Sequence, residues 1–231
     1  MREIVLDTET TGLDPEDGHR IVEIGAVELW NRLPTSNTFH QYLNPKIGMP
    51  PEAFAIHGLS DEFLGKQPVF DQIADSFISF IGNSKLIIHN APFDLKFLNA
   101  ELNQAGRERL NTARILDSLH LARKKFPGSP VSLDALCRRF NIDSSSRKLH
   151  GALLDSRLLA EVYLELTGGR QPNLELQTQT QQANTENTKN AGNARGRSAP
   201  LPSLLTEREK QLHLAFISQL GKNALWKTTE S

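Results

Sequence analysis

The first strand predicted from the sequence carries two acidic side chains at its end. Ile4, Val5 and Leu6 form an apolar run, and Asp7 and Glu9 follow it directly. Because a β-strand repeats every two residues, both carboxylates should project from the same face. Neighbouring like charges repel, so folding alone does not favour this pair. Either the strand ends at the surface with two solvated acids, or the pair binds divalent cations, as in the two-metal sites that cut phosphodiesters.

Two further blocks place acids beside predicted elements. Residues 90–94 (Asn-Ala-Pro-Phe-Asp) follow an apolar strand, and His150 precedes a late helix that contains Asp155 near its start. An acid near a helix start also gains from the helix dipole, and a histidine there can simply cap the helix. Neither explanation accounts for the whole ordered set, which is Asp7, Glu9, Asp94, His150 and Asp155. That set resembles the DEDDh family of 3′→5′ exonucleases, and the resemblance covers residues 3–169.

The resemblance implies a metal-dependent nuclease with specific roles for these side chains. Asp7 would bridge two divalent ions, and Glu9 and Asp155 would complete the shell of the first. Asp94 would hold the second ion. Oxygen ligands suit hard cations such as Mg²⁺ and Mn²⁺. His150 would be the general base that takes a proton from the attacking water, because its unperturbed pKa of about 6.5 suits that task.

The same resemblance implies a pocket for the terminal nucleotide. Thr10, Ile56 and His57 would line it, and Asn90 would belong to the substrate-binding set. Phe93 would pack on the base, a contact that tolerates any base. Packing in the core or a loop remains an alternative for His57 and Phe93. The sequence gives no reason to assign chemistry to the remaining histidines, which are His19, His40, His89, His120 and His213.

The hydrophobic periodicity predicts an α/β fold. Strands are predicted at 3–7, 21–29, 37–43, 86–89 and 114–117, with turn chemistry at 14–18 that suggests a hairpin. Helices are predicted at 51–57, 70–81, from about 92 to before Gly106, and at 117–126, 132–140 and 151–167. Three successive strands followed by alternating helices and strands favour a mixed five-stranded sheet with flanking helices. The family resemblance implies the ribonuclease-H-like form of that fold.

Composition excludes several classes of protein. The chain has 26 Lys+Arg and 27 Asp+Glu, a formal net charge of −1, so no broad basic field is available for nucleic acid. We therefore expect the substrate to be held by a local, metal-charged site. The single cysteine, Cys137, excludes an intrachain disulfide. Because the start of the chain lacks a signal-peptide pattern and no apolar run is long enough to cross a bilayer, we expect a cytoplasmic protein.

Composition changes after Gly169. Residues 177–200 contain no Val, Ile, Leu, Met or aromatic residue, which predicts a flexible linker at 170–203 between an exonuclease domain at 1–169 and a tail at 204–231. In the tail, Thr206 and Glu209 have the spacing of a capping box and predict a helix start. The predicted helix has one apolar face, formed by Leu212, Phe216, Ile217 and Leu220, and Trp226 follows it in the sequence.

Within the DEDDh family, this plan resembles the proofreading subunits of bacterial replicative polymerases. The resemblance implies that the enzyme acts on DNA 3′ ends and that the tail docks on the polymerase catalytic subunit. At 171–176, Gln171, Leu174 and Leu176 fit the short Gln-x-x-Leu-x-apolar form of a sliding-clamp peptide. The tail helix could instead fold back on the catalytic domain. Two other functions stay open: a free-standing DNA or RNA exonuclease in repair or RNA trimming, and a non-catalytic scaffold subunit.

Overall fold

The structure is a computed structural model that describes residues 1–145, 149–169 and 206–219. The chain divides into two compact units, Met1–Leu176 and Gln177–Ser231, which are considered separately. Several predictions lie outside the described residues. They concern the linker at 170–203, the clamp peptide with Gln171, Leu174 and Leu176, and the tail residues Leu220 and Trp226.

One mixed sheet organises the first unit. Its five strands have the order β3-β2-β1-β4-β5. β1 (Arg2–Thr10), β2 (Ile21–Trp30) and β3 (Leu33–Tyr42) pair antiparallel, whereas β4 (Lys85–Ile88) is parallel to β1 and to β5 (Ile115–Asp117). The predicted mixed five-stranded sheet is therefore confirmed.

Helices cover both faces of the sheet. Alternation along β1 sends Ile4 and Leu6 into one core with Phe77 and Phe97, and Val5 into a second core that includes Cys137. The first core involves the third and fourth helices, and the second involves the fifth to seventh. In the described part of this unit the helices are α1 (Pro51–His57), α2 (Asp61–Leu64), α3 (Phe70–Ile81), α4 (Ala91–Gln104), α5 (Ser118–Lys125), α6 (Leu133–Phe140) and α7 (Ala152–Leu166).

Several observed elements differ from the predicted ones. β3 begins at Leu33 instead of 37, because Asn31 and Arg32 have positive φ angles of 52° and 69° and close a two-residue hairpin. α2 was not predicted; it is one turn long, and the Ser60 hydroxyl accepts a hydrogen bond from Phe63 N at 3.3 Å. Two short 3₁₀ helices, Pro15–Asp17 and Thr112–Arg114, were not predicted either.

The described part of the second unit is one helix, α8 (Glu207–Gln219). The predicted capping box is present: Thr206 N donates to Glu209 Oε2 at 2.8 Å, and Glu209 N donates to Thr206 Oγ1 at 3.3 Å. Leu212 and Phe216 are exposed, and Ile217 is half-buried. Throughout the described residues, no helix has both the length and the apolar character needed to cross a membrane.

Candidate active site

The five side chains predicted to carry chemistry lie around one cleft of about 700 Å³. Three of them come especially close: ligand atoms of Glu9, His150 and Asp155 lie within 4.8 Å of one another. His150 Nδ1 is 3.3 Å from Asp155 Oδ2. Asp7 and Asp94 line the same cleft. Four carboxylates and an imidazole thus converge from three separate parts of the sequence.

Strand geometry places the first two acids. In the β1–β2 register, Asp7 lies opposite Gly25 and Glu9 lies opposite Glu23, so both acids project from the face on which α7 packs. The register shifts between Glu9 and Thr10, which ends the regular pairing at the mouth of the cleft.

A close helix–strand contact places Asp155. A Cβ atom on Gly25 would lie 2.1 Å from Leu153 N and 2.2 Å from the Ala152 carbonyl carbon, so only glycine permits this approach. The Ser156 hydroxyl donates to Gly25 O at 2.9 Å and fixes the first turn of α7 on β2. Asp155 is thereby held in the cleft, where its side chain is buried.

Asp94 is the acid whose protonation the fold alters most clearly. Its Oδ1 accepts hydrogen bonds from Thr8 N at 3.1 Å and Thr8 Oγ1 at 2.8 Å. Burial nevertheless raises the pKa of Asp94 to about 7, because the charged form loses its hydration. A cation in the cleft would favour the carboxylate, and the oxygen donors present suit a hard divalent ion. The residues of the cleft therefore fit the metal dependence of a DEDDh-type site.

A second cavity of about 560 Å³ adjoins the cleft, and both are lined by Thr8, Glu9 and Phe93. Of the predicted substrate-binding residues, Thr10, Ile56, His57 and Phe93 line this second cavity. Asn90 lines the catalytic cleft instead.

His57 lines the second cavity with an uncharged side chain. Its Nδ1 accepts a hydrogen bond from Leu59 N at 3.1 Å. Burial lowers the pKa of His57, so its imidazole is neutral at pH 7.

A family profile described as Exonuclease (RNase_T) matches residues 4–163, which include every residue that lines the two cavities. The chain belongs to the exonuclease family. The prediction of nuclease chemistry made from the three motif blocks is thereby confirmed.

Relatives of this exonuclease include proteins named DNA polymerase III subunit epsilon. The DNA polymerase III subunit epsilon of Rickettsia felis is 52% identical over 227 residues, which cover 97% of this chain and 99% of the relative. The protein of the same name from Escherichia coli K12 is 52% identical over 176 residues, 73% of this chain and 72% of that protein. The predicted resemblance to a proofreading polymerase subunit is confirmed by these relatives.

Solved structures with the same fold include other nucleases. The nuclease domain of 3′hExo, a DEDDh family member bound to rAMP, superposes with a TM-score of 0.63 at 22% identity, covering 71% of this chain and 90% of that one. Exonuclease X in complex with 5′-overhanging duplex DNA gives a TM-score of 0.57 at 24% identity, with the same two coverages. At these identities the similarity supports the fold of the exonuclease and nothing finer.

Sequence reasoning missed His89 at the exonuclease site and the pair that Glu23 and His40 form between β2 and β3. His89 lines the cleft, and its Nδ1 lies 3.0 Å from Ser118 Oγ. Its position at the end of the strand that leads into Asn90 was the available signal. Glu23 is buried on β2 and lies 2.7 Å from His40 Nε2. No local sequence motif predicts this pair, because the contact between Glu23 and His40 depends on the register of β2 and β3.

Proposed function

We propose that this exonuclease removes nucleotides from DNA 3′ ends and proofreads synthesis as a subunit of the bacterial replicative polymerase. The observation that carries the proposal is the convergence of four carboxylates and His150 on one cleft. Similarity along 99% of the R. felis epsilon subunit supports the polymerase context.

In this proposal, Asp7, Glu9, Asp94 and Asp155 hold two divalent ions, Mg²⁺ or Mn²⁺. When bound, such ions supply an acidified water and neutralise charge on the departing 3′ oxygen. The chain contributes preorganisation, because the hydrogen bonds from Thr8 to Asp94 and from Ser156 to Gly25 fix two of the three motif blocks.

His150 is the proposed general base. Its side chain is 47% exposed, whereas the adjacent Asp155 side chain is 4% exposed, so the imidazole can reach a water while the acid stays fixed. The 3.3 Å contact between them orients the ring. His150 N also donates to Ile56 O at 3.1 Å, which joins the base to the wall of the second cavity.

We assign the terminal nucleoside to the second cavity, with Phe93 against the base and Thr10, Ile56 and His57 around it. A terminal nucleotide must leave a duplex to reach this cavity, and unpairing costs energy that a mismatch has already lowered. Frayed or mispaired ends are therefore the preferred substrates. Asn90, which lines the adjoining cleft, would contact the strand beyond the terminal nucleoside.

The division into an exonuclease domain at 1–169, a linker at 170–203 and a docking segment at 204–231 belongs to the same proposal. The exposed apolar residues Leu212 and Phe216 on α8 supply a face for the polymerase catalytic subunit. The peptide at 171–176 would bind the sliding clamp. Tethering raises the concentration of the nuclease at the primer end without a new contact at the active site.

Asp7→Ala tests the catalytic part of the proposal. The purified wild type should release nucleoside 5′-monophosphates from 3′-labelled DNA only with a divalent cation present. Asp7→Ala should lose nearly all of that activity while its thermal unfolding stays cooperative. Substantial turnover in excess chelator, or in the variant, would refute the metal site. A faster rate on RNA than on DNA would favour the free-standing RNA-trimming enzyme instead.

Phe216→Asp tests the polymerase part. A charge at this position should weaken binding to the purified polymerase catalytic subunit at least tenfold, because an apolar contact is replaced by a buried charge. Ser218→Asp is the matched control, since helical spacing places Ser218 on the opposite side of α8 from the Leu212–Phe216 face. Exonuclease rates on free single strands should not change in either variant. Equal binding by both variants would exclude this face as the dock.

A further inference from the structure

The two adjoining cavities differ in charge. The second cavity has no Lys or Arg among its described lining residues, and Asp17 and Glu52 face it in addition to Glu9. Among the described residues that line the catalytic cleft, Arg123 is the one Lys or Arg side chain. The two cavities share Thr8, Glu9 and Phe93 as lining residues, so a cavity without a Lys or Arg adjoins a cleft that has an Arg.

Helical spacing brings Arg123 into the cleft. Leu119 and Arg123 are four residues apart on α5 and both line it, as expected for one face of a helix. Arg123 is exposed, and within the described residues it makes no hydrogen bond and no ion pair. Burial is the main cause that lowers the pKa of His89, which lines the same cleft, and the charge of Arg123 contributes in the same direction. The guanidinium is thus available to a ligand.

The chemistry of a DNA strand matches this asymmetry. A 3′-terminal nucleoside carries no phosphate beyond the scissile one, so it suits a cavity without cations. The strand on the 5′ side carries one negative charge per nucleotide, so it suits the cleft that holds Arg123. Guanidinium groups bind phosphate oxygens through a planar pair of donors.

We propose that Arg123 binds a backbone phosphate on the 5′ side of the scissile bond and thereby fixes the direction in which the strand crosses the site. This inference rests on the proposed function and adds a strand-positioning residue to it. Arg123 touches the substrate strand and not the reacting atoms, so its loss should affect strand binding more than the chemical step.

Two substrates separate these effects. One is a single-stranded oligothymidylate, and the other is the p-nitrophenyl ester of thymidine 5′-phosphate, which has a scissile phosphodiester but no strand beyond it. Arg123→Ala should raise KM for the oligonucleotide roughly tenfold, the strength of one charge-assisted hydrogen bond. Its effect on the ester should be several-fold smaller. Replacing single phosphates by neutral methylphosphonates should weaken wild-type binding at one linkage, and this effect should be absent in Arg123→Ala.

Lys124→Ala is the matched control, because Lys124 is an exposed cation next in sequence that does not line the cleft. It should leave both substrates within about twofold of wild type. Arg123→Lys should restore part of the affinity. The slope of log KM against log salt should fall by about 0.7 in Arg123→Ala, as expected for one lost phosphate contact with a single strand. Thermal unfolding of each variant reports its folding.

The outcomes are distinct. Equal losses on both substrates in Arg123→Ala would overturn the strand-binding role while leaving the nuclease assignment intact. An unchanged salt slope with a raised KM would also overturn it, because phosphate binding requires counterion release. A wild-type protein that hydrolyses neither substrate would overturn the proposed function itself, and the Arg123 assignment with it.

Discussion

Replacing Asp94 by Asn should stabilise the metal-free protein at alkaline pH and abolish its activity. Asparagine is close in shape to aspartate and keeps an oxygen that can accept the two hydrogen bonds from Thr8. It removes the charge that burial makes unfavourable. The variant therefore separates the effect of the charge on folding from its use in catalysis.

The magnitude follows from the pKa of Asp94. Burial raises that pKa from an ordinary 3.8 to about 7, and each pKa unit corresponds to about 1.4 kcal/mol. Between these two values the folded state binds more protons than the unfolded state, so the stability of the wild type falls as pH rises through this range. Above pH 7 the charged carboxylate costs roughly 4 kcal/mol of unfolding free energy. Below pH 4 it costs nothing.

The assay is denaturant unfolding in excess chelator at pH 5 and pH 8. Asp94→Asn should gain several kcal/mol over the wild type at pH 8 and less at pH 5. Added Mg²⁺ should stabilise the wild type more than the variant, because a cation favours the charged form. Asp71→Asn is the control, since Asp71 is an exposed carboxylate in the first turn of α3 and its loss should cost at most about 1 kcal/mol. If Asp94→Asn is no more stable than the wild type at pH 8 in chelator, then the buried charge is not the unfavourable element inferred here.

Two further predictions concern His150, the proposed general base, and its surroundings. His150→Ala should slow hydrolysis roughly 10²- to 10⁴-fold and flatten the rise in rate with pH, because a general base must be unprotonated to accept a proton; an unchanged pH–rate profile would assign the base elsewhere. Gly58→Ala should lower both stability and kcat, because Gly58 has a φ of 72° and a Cβ there would lie 2.7 Å from Cδ1 of Leu149, the residue before His150. Adding Leu149→Ala should recover part of kcat but not the backbone strain, and a double variant no faster than Gly58→Ala would contradict the steric explanation.

Local sequence patterns were sufficient to predict where the acidic side chains lie. They were not sufficient to predict the packing contacts around them. Asp7 and Glu9 could be assigned to one face because strand periodicity is a property of the sequence itself. The role of Gly25 could not be read in the same way, because a glycine within a strand indicates a close approach but not which element approaches. Similarly, the pairing of His40 with buried Glu23 depends on the register of two strands.

Errors at element boundaries have equally specific causes. β3 was predicted to begin at 37 but begins at Leu33, because Arg32, which is not a typical turn residue, adopts a left-handed conformation beside Asn31. α2 was not predicted because a single helical turn has too few residues to show helical periodicity. In contrast, α3 was predicted with its observed bounds, since five of its apolar residues recur at helical spacing on the buried face: Phe70, Ile73, Ala74, Phe77 and Ile81.

The three motif blocks are brought together by different kinds of contact. β1 and β4 pair in parallel, with Val5 opposite Ile87, so backbone hydrogen bonds alone bring the ends of both strands to one edge of the sheet. The first two blocks, with Asp7, Glu9 and Asp94, meet there as a consequence of sheet topology. The third block has no strand of its own, and reaches the acids through the contact of α7 with Gly25. Because that block supplies both His150 and Asp155, the proposed catalytic geometry depends on the packing of the α7 N-terminus against Gly25 as well as on the pairing of the strands.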